Sequence, residues 1–216
     1  ADVKSGGRFD APDGVYRTRA WDDVRRVTLE IWEAFDASGR RVRGMLNNCA
    51  GGLTPWGTWL TCEENFNHYF SGKDVAEISP LAAAYARYGV SEGYYPWDRI
   101  DGRFDVGREP NECHRFGWVV EIDPLNPIST PKKRTALGRF KHEGATISIT
   151  KDGRAVAYMG DDTGNDYVYK FVSRKKYRSG DGESARAHNL SLLEDGDLYV
   201  ARFTGDSPAA EIDGSG

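Results

Sequence analysis

Two adjacent carboxylates, Glu63 and Glu64, close a run rich in glycine, tryptophan and cysteine: Asn47-Asn-Cys-Ala-Gly-Gly-Leu-Thr-Pro-Trp-Gly-Thr-Trp-Leu-Thr-Cys-Glu-Glu-Asn65. Neighbouring acids repel, so a fold that keeps both near further acids needs a cation and otherwise leaves them in solvent. For an isolated Glu-Glu pair, solvent is the ordinary outcome. The balance shifts because the layout recurs over residues 142–162. There His142-Glu-Gly-Ala opens a strand over 146–150, Lys151-Asp-Gly-Arg154 turns the chain, and 155–159 return to Gly160-Asp161-Asp162. Cys49-Ala-Gly takes the place of Glu143-Gly-Ala, and Glu63-Glu64 that of Asp161-Asp162. The acids are therefore expected to project from equivalent points of repeated sheets. Clustered carboxylate oxygens select Ca²⁺ or a trivalent ion, and a Cys49 thiolate beside them adds a softer donor suited to iron. On residue type alone, Cys49 as a small buried hydrophobe is an equal alternative.

The elements that must position these groups are short strands. Residues 58–62 read as a strand leading into Glu63, and 27–35, with β-branched and aromatic residues before an Asp36-Ala-Ser-Gly39 turn, as a strand paired with 41–44. Residues 1–20 read as an irregular arm. Within 73–89 the pattern changes to helix formers, with a Ser79-Pro80 start and a Gly89 stop, which predicts one inserted helix. An aromatic, glycine-broken loop over 91–112 follows, then strands over 116–122, 134–140, 166–172 and 197–203, the last after a Glu194-Asp-Gly196 turn. The chain of 216 residues carries 25 glycines, 9 prolines and 12% aromatics. Short strands and Asp-Gly turns without long helices fit an all-β fold, a β-propeller better than a sandwich. At about 40–50 residues per blade, the length accommodates about three blades of a larger ring. The chain, a single domain over 1–216, is accordingly expected to be an incomplete propeller.

Charge and composition exclude several classes. A net charge of −4 is unlike a nucleic-acid footprint, and the short basic run over 174–178 reads as a solvated loop. No run of about 18 apolar residues exists to span a membrane, and 1–20 lack a signal peptide's apolar segment. A Gly-rich phosphate loop and a Gly-x-Ser-x-Gly elbow are both missing, which disfavours an NTPase or an α/β hydrolase. Three cysteines, Cys49, Cys62 and Cys113, make an odd count; Cys62 and Cys113 read equally as buried thiols or a disulfide. His142 and His114 read as surface or core groups more readily than functional ones, Asp123 as a turn former before Pro124, and Trp56, Trp59, Trp97 and Trp118 as core.

Four stretches resemble the PhoX family of bacterial alkaline phosphatases: the 47–65 run, Gly117-Trp-Val-Val-Glu-Ile-Asp-Pro124, Gly138-Arg-Phe-Lys-His-Glu-Gly-Ala145, and Tyr158-Met-Gly-Asp-Asp162 with Tyr167-Val-Tyr-Lys-Phe171. The resemblance covers roughly residues 25–204, and the family's chains are longer. It implies the N-terminal part of a β-propeller, six-bladed in full, and a metal-dependent hydrolase that releases inorganic phosphate from small-molecule phosphate esters. It implies a periplasmic or secreted protein of phosphate acquisition, with iron and calcium as cofactors. Carried over by position, Cys49, Glu63, Glu64 and Glu143 are the implied metal ligands, with Asp161 and Asp162 beside them, one of which could instead cap the hairpin. Further ligands of the family fall in blades downstream of residue 216, so these residues alone are expected to bind metal weakly and to lack useful turnover. Two other classes compete: a non-catalytic Ca²⁺-binding propeller that serves as scaffold or recognition module, and a lactonase-like calcium propeller.

Overall fold

The computed structural model describes residues 9–10, 41–90, 92–180 and 182–202. The strand expected over 27–35 lies outside the described residues, as does the arm over 1–20 apart from β1 (Phe9–Asp10), which pairs antiparallel with β2 (Arg41–Val42). The expected all-β architecture is present. One four-stranded antiparallel sheet takes β3 (Asn48–Leu53), β4 (Trp59–Glu63), β5 (Val119–Ile122) and β6 (Lys132–Lys133) in chain order. A second takes β7 (His142–Ile149), β8 (Arg154–Asp161), β9 (Val168–Lys176) and β10 (Gly196–Val200) in the same order.

The first strands of the two sheets face each other across a very short gap. A methyl group added to Gly52 of β3 would fall 2.2 Å from the carbonyl oxygen of Ala145 on β7. Only glycine permits that approach, because backbone cannot yield as a flexible side chain can. Leu60, Cys62, Val119, Ala145, Ala157 and Phe171 belong to the apolar core shared by the two sheets, all nearly or fully buried. Burial on this scale is what holds short strands together, at about 25 cal/mol per Å² of apolar surface removed from water.

Between β4 and β5 the chain leaves the first sheet. The helix expected over 73–89 is two helices, α1 (Lys73–Ile78) and α2 (Ala82–Tyr88). Pro80 explains the break: the residue before proline is driven extended, and Ser79 has φ −68° and ψ 147°. Gly89 does stop α2, in the left-handed region at φ 64°, while the Val90 amide donates to the Tyr85 carbonyl. The expected loop over 91–112 holds 3₁₀ turns at Trp97–Arg99 and Gly102–Phe104, with another at Glu112–Arg115. Phe66, Phe70, Tyr85, Phe104 and Phe116 pack this excursion into its own buried cluster.

Three other expectations change. Residues 134–140 are not a strand: β6 stops at Lys133, and Thr135–Leu137 form a 3₁₀ turn after the Arg134 side chain turns into the protein. The basic run over 174–178 is in part the end of β9 rather than a loop. A helix unforeseen in the sequence, α3 (Glu183–Asn189), connects β9 to β10. Among the described residues no helix is long and apolar enough to cross a membrane.

Candidate metal centre

The recurrence read in the sequence is a recurrence of backbone geometry. Asn48 pairs with Glu63 and His142 with Asp161, and each hairpin then slips register, before Gly51 in one and before Ala145 in the other. The residues in the two bulges are Cys49-Ala50 and Glu143-Gly144. A bulge re-aims side chains at the end of a strand pair, and here it turns a thiol in one hairpin and a carboxylate in the other to the surface. Even the closing contacts repeat: the Glu64 amide donates to the Asn47 carbonyl at 3.1 Å, and the Asp162 amide to the Lys141 carbonyl at 3.1 Å.

Adjacent strand residues point to opposite faces, so each acidic pair divides. The first acid of each pair turns into the protein. Glu63 is fully buried: its Oε1 accepts from the Leu46 amide at 3.0 Å, and its Oε2 from the amides of Gly117 at 3.0 Å and Trp118 at 3.1 Å. Lys133 Nζ donates to both oxygens, at 2.8 and 2.9 Å, and to the Arg115 carbonyl at 2.6 Å. Burial pushes Glu63 up and Lys133 down to about 8, each opposed by attraction to the other. Both oxygens of Glu63 are thus engaged within the protein, which anchors the end of β4. Asp161 likewise turns inward. Its side chain is 0% exposed, Oδ1 accepts from the Thr163 amide at 3.0 Å, and Oδ2 faces Arg87 at 3.5 Å. It caps the turn, the alternative that the sequence left open.

The second acids face out and converge. Glu64 is influenced by both Cys49, from the first hairpin's bulge, and Asp162, from the end of the second. Its carboxyl is pushed up first by burial and then by Asp162, against the pull of Cys49 and Asn65. On the Cys49 thiol the Ala50 amide pulls down, but burial, the Glu64 contact and the charges of Glu64 and Glu143 raise it overall. Among the described residues, no group of three His, Cys, Asp or Glu side chains gathers closely enough to hold an ion as it stands. The set is nonetheless short of positive charge, with a thiol and like-charged acids at neighbouring hairpin ends, the setting that a cation would relieve. A thiol with three carboxylates, Glu64, Glu143 and Asp162, suits iron at the sulfur and calcium at the oxygens.

The remaining candidates are structural. His142 is fully buried, its Nε2 2.9 Å from the Gly138 carbonyl and its ring 3.6 Å from that of Phe140. Desolvation lowers its pKa to about 4, so it stays neutral. His114 stacks on Tyr85, and burial with Arg139 lowers its pKa. Asp123 accepts from the Leu125 amide and takes a two-point contact from Arg186, at 2.9 and 2.6 Å. Cys62 and Cys113 are free buried thiols, each pushed up to about 12 by desolvation, which decides against the disulfide. Trp56 is core as expected, whereas Trp59 and Trp97 are 50% and 43% exposed. A separate cleft of about 120 Å³ lies beside Thr58, Asp123 and Arg134, but the charges around it are spent internally: Arg134 on Glu121, Arg186 on Asp123, Lys132 on Glu194.

Sequence reading missed Lys133 and Arg87, the cations of the two inward acids. Lys133 stands in a Pro-Lys-Lys-Arg run that resembles solvated surface, and only the sheet pairing of β6 to β5 carries it inward. His68 also went unassigned; its ring is 5.2 Å from that of Tyr94, and burial and the charge of Lys141 lower its pKa.

Comparison with known proteins bears on the family. The family model described as alkaline phosphatase PhoX matches residues 25–216. A solved structure described as Pseudomonas fluorescens PhoX in complex with vanadate, a transition state analogue, is 52% identical with a TM-score of 0.69. That match covers 77% of this chain and 28% of the other, so the chain spans well under half of its solved relative. No curated protein matches it.

Proposed function

The chain belongs to the PhoX family of alkaline phosphatases, and on that premise we propose that it carries part of the metal centre of a phosphomonoesterase acting on small-molecule phosphate esters. The observation that carries the reading is the matched placement of Cys49 with Glu64 and of Glu143 with Asp162 at the bulged ends of two repeated hairpins whose first strands lie against each other. The proposed ligands are these four; Glu63 and Asp161, read earlier as ligands, have roles in the framework behind them. The proposed ions are iron, favoured by the thiolate, and calcium, favoured by the carboxylates. When bound, such ions offset charge on the phosphoryl oxygens and activate an oxygen nucleophile.

The chain's own residues do two things in this scheme. Glu63, locked to Lys133 and three amides, fixes the end of β4 so that Glu64 is presented on the opposite side. The Cys49 thiol, raised above its usual value, loses its proton as a cation enters, which couples loading to pH. The two meanders of four strands, in chain order with their first strands adjacent, support a further reading as neighbouring blades of a β-propeller. In that arrangement further blades, for which the longer solved relative has the length, would supply the remaining ligands. A periplasmic or secreted location belongs to the same proposal, on the strength of family membership alone.

Loading with Fe³⁺ and Ca²⁺, followed by metal analysis and hydrolysis of a chromogenic phosphomonoester, tests it. Cys49→Ser is expected to abolish a thiolate-to-iron absorption band, and Glu64→Gln or Asp162→Asn to reduce bound metal by about 10-fold or more. Undiminished metal in all three variants sinks the assignment. Calcium alone without turnover in the longer protein would favour the scaffold class, and lactone turnover the lactonase class.

A further inference from the structure

The two hairpins solve one problem differently. In the first, the inward acid Glu63 reaches Lys133 and three backbone amides within its own sheet and loops. In the second, Asp161 has a shorter side chain, and its Oδ2 is buried without a hydrogen bond. Asp166, 10% exposed at the side chain, leaves Oδ1 in the same condition. The cation that faces both comes from elsewhere in the chain. Arg87, near the end of α2, places its Nη2 2.8 Å from Asp166 Oδ2 and 3.5 Å from Asp161 Oδ2. These two acids bracket Asp162.

The neighbouring residue holds the other arm of the same hairpin. The Tyr88 hydroxyl donates to the Arg139 carbonyl at 2.6 Å, on the segment that leads through Lys141 to Glu143. The Arg139 guanidinium lies 4.5 Å from the Tyr88 ring centroid and 4.8 Å from that of Phe66. It also donates to the carbonyls of Phe116 at 2.7 Å and Cys113 at 2.8 Å. Consecutive residues of one short helix thus grip the incoming strand that bears Glu143 and the outgoing loop that bears Asp162.

We propose that the helical excursion between β4 and β5 braces the acidic end of the second hairpin, with Arg87 and Tyr88 as positioning residues for Asp162 and Glu143. The functional weight of this brace rests on reading those two carboxylates as ion ligands; the mechanical part does not.

Hydrogen exchange on the metal-free 216-residue chain tests the mechanical part. In Arg87→Ala the Asp162 amide, bonded to the Lys141 carbonyl, is expected to exchange about tenfold faster or more, while its counterpart at Glu64 keeps its rate. Should Arg87→Ala fail to fold, Tyr88→Phe keeps the ring, loses the hydroxyl bond to Arg139, and is expected to speed exchange at the Phe140 amide, which donates to Gly117. Unchanged rates at these amides overturn the proposal. Ca²⁺ titration by calorimetry then separates positioning from charge. Removing a cation near carboxylates tightens Ca²⁺ if Arg87 acts only through its field, whereas loss of a positioning contact weakens it by about 10- to 100-fold. Tightening overturns the positioning role. An Asp162→Asn variant with undiminished Ca²⁺ affinity would instead sink the ligand reading and leave the brace standing.

Discussion

Replacing Lys133 with methionine keeps most of the side chain's volume and removes its charge from a place where water cannot substitute. Both partners of the Lys133–Glu63 pair are 0% exposed at the side chain, and Nζ also lies 4.2 Å from the Phe116 ring centroid. Removing one member of a buried pair strands the other, at about 3–5 kcal/mol. Three amide donors remain on Glu63, which places the expected loss toward the lower end at pH 8. For a chain of this size, 1 kcal/mol corresponds to about 2–4 °C, so the melting temperature should fall by roughly 6–12 °C. The pH dependence carries the sharper signature. Without Lys133, burial holds the Glu63 pKa above its unfolded value, so the folded state of the variant binds the extra proton. Stability linked to that proton is complete below the unfolded pKa and is lost as pH rises through the folded one. The deficit relative to the parent should therefore be largest at pH 8 and shrink toward pH 4. Glu63→Gln on the Lys133→Met background should recover much of the loss. Denaturant unfolding across pH measures all of this; a Lys133→Met deficit under about 0.5 kcal/mol, flat with pH, would refute the argument that the pair is a buried counter-ion couple.

His142, lowered to about 4, binds no proton in the folded state at a pH where the unfolded chain does. Stability should accordingly fall by of order 3 kcal/mol as pH drops from 6.5 to 4, and His142→Phe should flatten that slope; equal slopes would contradict it. Iron binding should release a proton, because the Cys49 thiol stands above its usual value. Calorimetry in buffers of different ionisation enthalpy measures the release, and Cys49→Ser should lower it; an unchanged release would refute the assignment. Gly52→Ala puts a methyl 2.2 Å from the Ala145 carbonyl oxygen, so it should cost about 1–3 kcal/mol or more in thermal unfolding. An unchanged melting temperature would mean that β3 and β7 are not held in contact.

The sequence alone determined the recurrence that organises the site. Glycine placement, Asp-Gly turns and terminal acids are local signals, and they aligned Cys49 with Glu143 and Glu64 with Asp162 in the register that the hairpins adopt. It also determined the stop at Gly89, because a left-handed residue is a local requirement. It did not separate Glu63 from Glu64. Both are glutamates in one motif, and the strand's alternation says only that they differ in facing, while which face is dry depends on β5 and β6 arriving with the Gly117 and Trp118 amides and Lys133. The roles of Lys133 and Arg87 were illegible for the same reason. A cation in a polar stretch reads as surface until a partner distant in sequence takes it inward, as Glu63 does for Lys133 across seventy positions. The framework was written in spacing, and the division of each acidic pair into an anchor and an outward group was decided by packing, since only packing sets which carboxylate loses its water.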